Sequence, residues 1–341
     1  MTELRQDPFT RRWVVTGKRP LMPDVQDAGG LCSFCPGNEH LTPKAILECK
    51  DSSGSWCARV FHDRAPLFLV EGGAGRRGEG IFDRMNNVGA HEIVVETPLH
   101  GVTLAKLPAE QIARVIELCR DRIIDLKRDS RFRYVSLFKD QHAPSATLQG
   151  HSYSQILATP VLPQLLEIEF RWSRAHFLQK ERCLYCDALQ QEIQQEKRVV
   201  DQNEDFVALC PFGSRWSYEL RILPIQHSSS FEKTLLEPDR ISSFARFFRS
   251  CLQRVEKLSP ILHIVVHTEP NLDATKPTKE WWKTLPRDYH WHIEIQPDVE
   301  GRRRYLGTEG FYFNPIPAEQ AALVLRALEP GTEPDSRSSW E

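Results

Sequence analysis

The sequence predicts an α+β fold assembled from two similar halves. Three observations carry that expectation. Short strand-like runs alternate with long stretches of helical periodicity. The order strands, one long helix, strands occurs twice. Each half has a C-x-x-C pair early, Cys32/Cys35 and Cys183/Cys186, and histidines late. At roughly 100–200 residues per domain, a chain of 341 residues makes about two. The expected division is 1–160 and 161–330, with a polar, disordered tail at 331–341.

The first half opens with a strand at Arg12-Trp13-Val14-Val15. A second follows at Glu92-Ile93-Val94-Val95-Glu96, bounded by Gly89 and Pro98. From Pro108 to about Asp129, apolar Ile112, Val115, Ile116, Cys119, Ile123 and Leu126 recur at helical spacing. Tyr134–Phe138 and Ser154–Ala158 then read as strands. In the second half a helix precedes Cys183, and strands are expected at Phe206–Cys210 and Tyr218–Leu223. A helix over 239–258 and strands at Leu262–Val266 and His290–Ile295 complete it. Gly- and Arg-rich 71–80 reads as a mobile loop. The polar insertion 270–286 reads as a loop, with Trp281 and Trp282 at a dimer interface.

Hydrophobic residues are 40% of the chain and charged residues 26%, ordinary for a globular protein. A formal net charge of −2 argues against nucleic-acid binding by bulk electrostatics. No apolar run reaches the length of about 18 residues that a membrane span needs. The N-terminus lacks the apolar core of a signal peptide, so the expected compartment is the cytoplasm. Nine cysteines, an odd number, do not read as a disulfide scaffold. In a reducing compartment the two C-x-x-C pairs point to metal, each thiolate pair joined by ligands from distant strands. The histidine candidates are His91, His100 and His151 for the first pair, and His227, His290 and His292 for the second. A thioredoxin-like role fits less well, because neither pair is expected between a strand and a helix.

Several motifs occur together in order: Arg5-Gln6-Asp7-Pro8-Phe9-Thr10-Arg11-Arg12-Trp13-Val14, Cys32-Ser33-Phe34-Cys35-Pro36-Gly37-Asn38-Glu39 and Gly89-Ala90-His91-Glu92-Ile93-Val94-Val95-Glu96. Pro211-Phe212-Gly213-Ser214-Arg215-Trp216, His290-Trp291-His292-Ile293-Glu294-Ile295 and Tyr312-Phe313-Asn314-Pro315 follow. On these the chain resembles the galactose-1-phosphate uridylyltransferase family of the histidine-triad superfamily. The resemblance implies two tandem histidine-triad-like units, each an antiparallel sheet with a packed helix. It implies Zn2+, one or two per chain, at Cys32, Cys35, His100 and His151 and at Cys183, Cys186, His227 and His290. It implies a nucleotide sugar or sugar phosphate as substrate and a homodimer. Family members pass a nucleotidyl group between sugar phosphates through a covalent nucleotidyl-histidine.

The attacking histidine of the family sits in a His-Pro-His-x-Gln segment. Here that segment is His151-Ser152-Tyr153-Ser154-Gln155, with Tyr153 at the nucleophile's place and Gln155 kept as a phosphate contact. Asp63 and Asp140 stand where the family has Asn, and Leu148 removes a hydroxyl donor. Ser154 and Asn314 complete the expected substrate-binding set. Imidazole has a reference pKa near 6.5 and phenol near 10, so Tyr153 needs a base before it attacks. His142 and His292 are candidate bases. An added carboxylate at Asp140 weakens phosphate binding unless a cation neutralises it. Two readings follow. One is a nucleotidyltransferase with altered or impaired covalent catalysis. The other is an inactive zinc-binding homologue that binds a nucleotide or a protein.

Overall fold

A computed structural model describes residues 2–17, 31–141, 150–274, 280–299 and 311–331. Fourteen strands and seven α-helices are present among them, and every pair of named strands is antiparallel. The first half contributes β1 (Glu3–Gln6), β2 (Trp13–Thr16), β3 (Leu47–Lys50), β4 (Trp56–His62), β5 (Arg77–Glu79), β6 (Phe82–Asn86) and β7 (Ala90–His100). Helix α1 (Ala109–Lys127) and strands β8 (Tyr134–Gln141) and β9 (His151–Thr159) follow. The second half contributes α2 (Gln164–Lys180), α3 (Leu184–Gln195), β10 (Val199–Gln202), β11 (Phe206–Leu209) and β12 (Leu220–Pro224). Then come α4 (Phe231–Thr234), α5 (Pro238–Glu256), β13 (Leu262–His267), α6 (Leu285–Asp288), β14 (His292–Pro297) and α7 (Ala318–Ala327).

Both halves share one ten-stranded sheet, ordered β10-β11-β12-β14-β13-β8-β9-β7-β4-β3. The seam is the pairing of β13 with β8, from Leu262↔Gln141 to Val266↔Leu137. Helices α1 and α5 lie side by side on one face. The helical stripe read from the sequence, Ile112 through Leu126, is buried against that face. Because side chains alternate along a strand, this divides the sheet's residues cleanly. Ala58, Val60, Val94 and Ile156 join the helix-facing core, while Phe61, Ile93 and Val95 pack on the opposite face. A second, four-stranded sheet, β2-β1-β6-β5, covers part of that opposite face through Leu4, Met85 and Trp13, packed with Leu157 and Val161.

Buried charges on the helix side are paired. Arg122 of α1 makes a two-pronged contact with Glu92 of β7, at 2.9 and 2.7 Å. Glu96 accepts hydrogen bonds from Lys139, Ser152 and Ser154. Gly89 is required by close approach: a Cβ there would lie 2.2 Å from the Ala158 carbonyl oxygen.

Several sequence expectations need correction. Strand β7 does not stop before Pro98 but continues to His100, across a register shift between Val95 and His100. Proline is tolerated there because the ladder is already interrupted. Helices α3 and α7 were not foreseen. The 71–80 segment is pinned: Arg131 donates to the Val70 and Gly72 carbonyls, and Asn86 bonds Gly73 and Ala74. Cys49 and Cys57 form a disulfide across the β3–β4 hairpin. Trp282 is buried within its own chain rather than presented outward, and the Trp281 side chain lies outside the described residues, as does 332–341.

Candidate functional site

The bulge in β7 brings His100 opposite His151, the first residue of β9. The tight turn at Cys32–Cys35, closed by the Cys35 N–H on the Cys32 carbonyl, points its thiols at both rings. Cys35 Sγ lies 3.4 Å from His100 Nδ1 and 3.8 Å from His151 Nδ1, and Cys32 Sγ lies 3.7 Å from His151 Nδ1. The four ligand atoms all lie within 4.8 Å of one another. A tetrahedral ion about 2.3 Å from sulfur and about 2.0 Å from nitrogen would space its ligands by roughly 3.5 Å. The set therefore fits such an ion.

The second half repeats the arrangement. Cys186 Sγ lies 3.3 Å from His227 Nδ1 and 3.5 Å from His290 Nδ1, with Cys183 completing the group. Cys183 is the residue just before α3, so Cys186 falls in the first helical turn.

The outer ring nitrogens fix the tautomers. His151 Nε2–H donates to the Thr97 carbonyl at 2.6 Å, His227 Nε2–H to Pro286 at 3.1 Å, and His290 Nε2–H to Pro224 at 2.9 Å. A carbonyl can only accept, so in the neutral ring each Nδ1 keeps its lone pair for the thiol side. Without a cation the thiols resist ionisation unevenly. Burial and the adjacent Cys32 push Cys35 up to about 11. The Cys183 hydrogen bond holds Cys186 below the usual thiol value. A bound divalent cation favours the thiolate in both sets.

Tyr153 stands two residues from His151 on the face opposite the helices. Its ring packs 5.6 Å from Phe34, the residue between the two first-half cysteines. Gln155 is next along the same face. Its Oε1 accepts from His91 Nε2–H at 3.0 Å, and His91 Nδ1 lies 3.1 Å from Asp63 Oδ2. Asp63 and His91 are buried, His91 Nδ1 accepts from the Leu67 N–H at 3.4 Å, and Asp63 Oδ2 has no hydrogen-bond partner among the described residues. The His91 bond to Oε1 turns the Gln155 NH2 group away from His91. His91, a metal candidate from sequence, thus serves the amide instead.

Beyond Phe138↔Gln155, the last pair of the β8–β9 ladder, Asp140 and Tyr153 come to one site. Both line a small cavity of about 40 Å³. On the next strand His263 pairs with Asp140, with His263 Nδ1 2.7 Å from Asp140 Oδ1. The meeting of His263 with Asp140 is not legible in the sequence, because strand register is not written in local spacing.

Three expected site residues lie elsewhere. Ser154 points to the helix side, where its hydroxyl donates to Glu96 Oε1 at 2.5 Å. The period of two along β9 excludes it from the face of Tyr153 and Gln155. Asn314 is spent on structure: its NH2 donates to the Ser214 and Trp216 carbonyls, and its Oδ1 accepts from Ser217 and the Ile316 N–H. His292 is fully buried in the second half, so it is no base for Tyr153. His142 and Leu148 lie outside the described residues.

His292 belongs to a cluster that the sequence reading did not find. Glu169, His267, His292 and Glu294 place one ligand atom each within 4.8 Å of the others. His267 Nδ1 is 3.0 Å from Glu169 Oε1, and Arg215 and Arg221 hold Glu294 at 2.5 and 2.6 Å. Against the raising effect of burial, the charge of His267 brings Glu169 down to about 2. Burial and His267 together push His292 down to about 3. Arg215 and Arg221 supply the balancing positive charge for this buried group.

No family model matches the chain. Individual relatives do. The chain is 26% identical over 342 residues to an ADP-glucose phosphorylase of Arabidopsis thaliana, covering 96% of this chain and 93% of that one. It is 28% identical over 347 residues to a galactose-1-phosphate uridylyltransferase of Thermotoga maritima, covering 96% and 99%. It is 30% identical over 266 residues to the galactose-1-phosphate uridylyltransferase of Hypocrea jecorina, covering 65% and 68%. Among solved structures, a uridylyltransferase superposes with a TM-score of 0.77 at 23% identity, covering 96% of this chain and 98% of that one. The Arabidopsis thaliana ADP-glucose phosphorylase with bound ADP-glucose superposes with 0.74 at 24%, covering 96% and 99%. Sequence relatives that match along nearly the whole length, together with a shared fold, place the chain in the galactose-1-phosphate uridylyltransferase family.

Proposed function

We propose that this protein acts on nucleotide sugars and hexose 1-phosphates at the face carrying Tyr153 and Gln155, with covalent nucleotidyl transfer altered by the tyrosine. The observation that carries the reading is the position of Tyr153: between the first Cys/His set and a Gln155 whose amide is fixed by His91. The relatives named as acting on galactose 1-phosphate and ADP-glucose supply the substrate class. The cytoplasmic homodimer and the division near residue 160 belong to the same reading.

Zn2+ is the ion we assign to each Cys2His2 set, held by Cys32, Cys35, His100 and His151 and by Cys183, Cys186, His227 and His290. Four protein ligands close each set, so the ion's contribution there is to folding. Tyr153, the fixed Gln155 amide and Asp140 carry the chemistry. Asp140 takes the phenol proton, and the Tyr153 oxygen forms a bond to the α-phosphorus of the nucleotide sugar. The bond from that phosphorus to the bridging oxygen breaks, and the sugar 1-phosphate leaves with the electron pair. A second phosphate then attacks the nucleotidyl-tyrosine and restores the phenol. His263 Nδ1 lies 2.7 Å from the Asp140 carboxylate and holds it in place. The phenolic ester is a poorer donor than a nucleotidyl-imidazole, so the second step is slow.

The test is incubation with nucleotide-labelled UDP-glucose and ADP-glucose, quenched in denaturant, scoring label on protein and released nucleotide. Slow labelling or turnover that Tyr153→Phe abolishes supports the reading. Tyr153→His should recover transfer only in part, because Asp140 remains. No label and no turnover with either sugar would leave the binding-only homologue as the better account.

A further inference from the structure

A cleft of about 770 Å³ opens between the small sheet and α2, and it shares no residue with the Tyr153 site. Such a volume is that of a small-molecule pocket. Its lining is strongly biased in charge. Arg11, Arg76, Arg77, Arg84, Arg133 and Arg171 line it, against Asp83 and Glu167. The whole chain carries 44 Lys and Arg against 46 Asp and Glu, so this concentration is local.

Several of these guanidiniums are not used by the fold. Arg77 is engaged with Glu3 and Asn86, and Arg171 lies near Glu167. Arg84 pairs with Glu79 at 3.6 Å and Glu3 at 4.0 Å, but its buried Nε has no hydrogen-bond partner among the described residues. Arg11, Arg76 and Arg133 have no ion-pair partner among the described residues. Arg133 is half-buried beside the like charge of Arg76, and burial followed by that charge lowers its pKa. Like charges held together without a counterion are costly unless an anion joins them. The walls are built to stay open. Gln164 of α2 donates to the Thr10 carbonyl at 3.0 Å, tying helix to hairpin. Arg131 and Asn86 hold the turn that carries Arg76. Gly75 has φ +48°, and a Cβ there would meet Asn86 Nδ2 at 2.6 Å. Trp13 and Trp282 add flat apolar wall.

We propose that this cleft is a second ligand site, for a small phosphorylated molecule gripped by Arg76, Arg133 and Arg84. Guanidinium forks match phosphate oxygens in pairs, and several of them suit a ligand with more than one phosphate oxygen edge to offer. The proposal is independent of the chemistry at Tyr153.

The test is calorimetric titration of the full chain with inorganic pyrophosphate and, separately, glucose 1,6-bisphosphate. Four proteins are compared: unaltered, Arg76→Ala, Arg133→Ala and Gln155→Ala. The unaltered protein should bind at least one probe saturably, with affinity falling as salt rises. Arg133→Ala and Arg76→Ala should each weaken binding roughly tenfold or more, while Gln155→Ala leaves it unchanged. Arg76 is exposed, so its variant keeps the test valid if Arg133→Ala fails to fold. Tighter binding of pyrophosphate identifies an inorganic ligand, and tighter binding of the bisphosphate a sugar ester; either supports the site. Absence of saturable binding to both probes, or binding that both arginine variants retain, would overturn it. Binding lost in Gln155→Ala would assign the probe to the Tyr153 face and likewise overturn it.

Discussion

Neighbouring residues on β9 have opposite duties because a strand turns alternate side chains to opposite faces. Ser154 serves Glu96 on the helix side, and Gln155 serves the open face. Ser154→Ala should therefore cost stability, about 1–3 kcal/mol for one lost partner of a buried carboxylate. It should leave nucleotide-sugar affinity unchanged. Thermal melts and titration on the same sample check both halves of that expectation. The cysteines of both metal sets were legible in the sequence because C-x-x-C is a local spacing, whereas the choice among the histidines came from the family resemblance. His91 was read as a metal candidate since its type fits, and only the β4–β7 register reveals its place between Asp63 and Gln155. His263 and Asp140, far apart in sequence, meet only through the β13–β8 seam.

At the level of elements, buried ion pairs bind the long helices to what lies beneath and beside them. Lys127, at the end of α1, reaches Glu232 of α4 at 2.5 Å. Despite burial, which raises it, the Lys127 charge holds the Glu232 carboxyl below the usual range. A depressed folded pKa means stability that is present above the unfolded value and lost as pH falls through the folded one. Acid unfolding should thus include a contribution from Glu232 that begins below about pH 4.5. Glu232→Gln should flatten that part of the stability–pH curve and cost about 3 kcal/mol at neutral pH by leaving Lys127 unpaired. Denaturation followed at a series of pH values measures both. The helices themselves were legible: the 3.6-residue period over 109–127 survives as the buried stripe of α1. The end of β7 was not, because Pro98 normally stops a strand and here sits in a bulge.

Across the molecule, the two halves repeat one device: a C-x-x-C turn, two histidines, and outer ring nitrogens tied to backbone carbonyls. Both sets draw ligands from segments far apart in the chain, so each ion would clamp its half. Plasma emission should find close to two zinc per chain. Removal by a strong chelator should lower the melting temperature, and zinc should restore it. The repeat was visible in element order, whereas the continuous ten-stranded sheet was not, since nothing local specifies the β13–β8 pairing that joins the halves. On the proposed function, the first of these clamps and the Tyr153–Gln155 face form one nucleotide-sugar site. Titration of the zinc-loaded protein with UDP-glucose and ADP-glucose, alongside Gln155→Ala, tests it most directly. Saturable binding of one of them, weakened roughly tenfold or more by Gln155→Ala, is the expected result. No binding of either, or equal binding by the variant, would contradict the account.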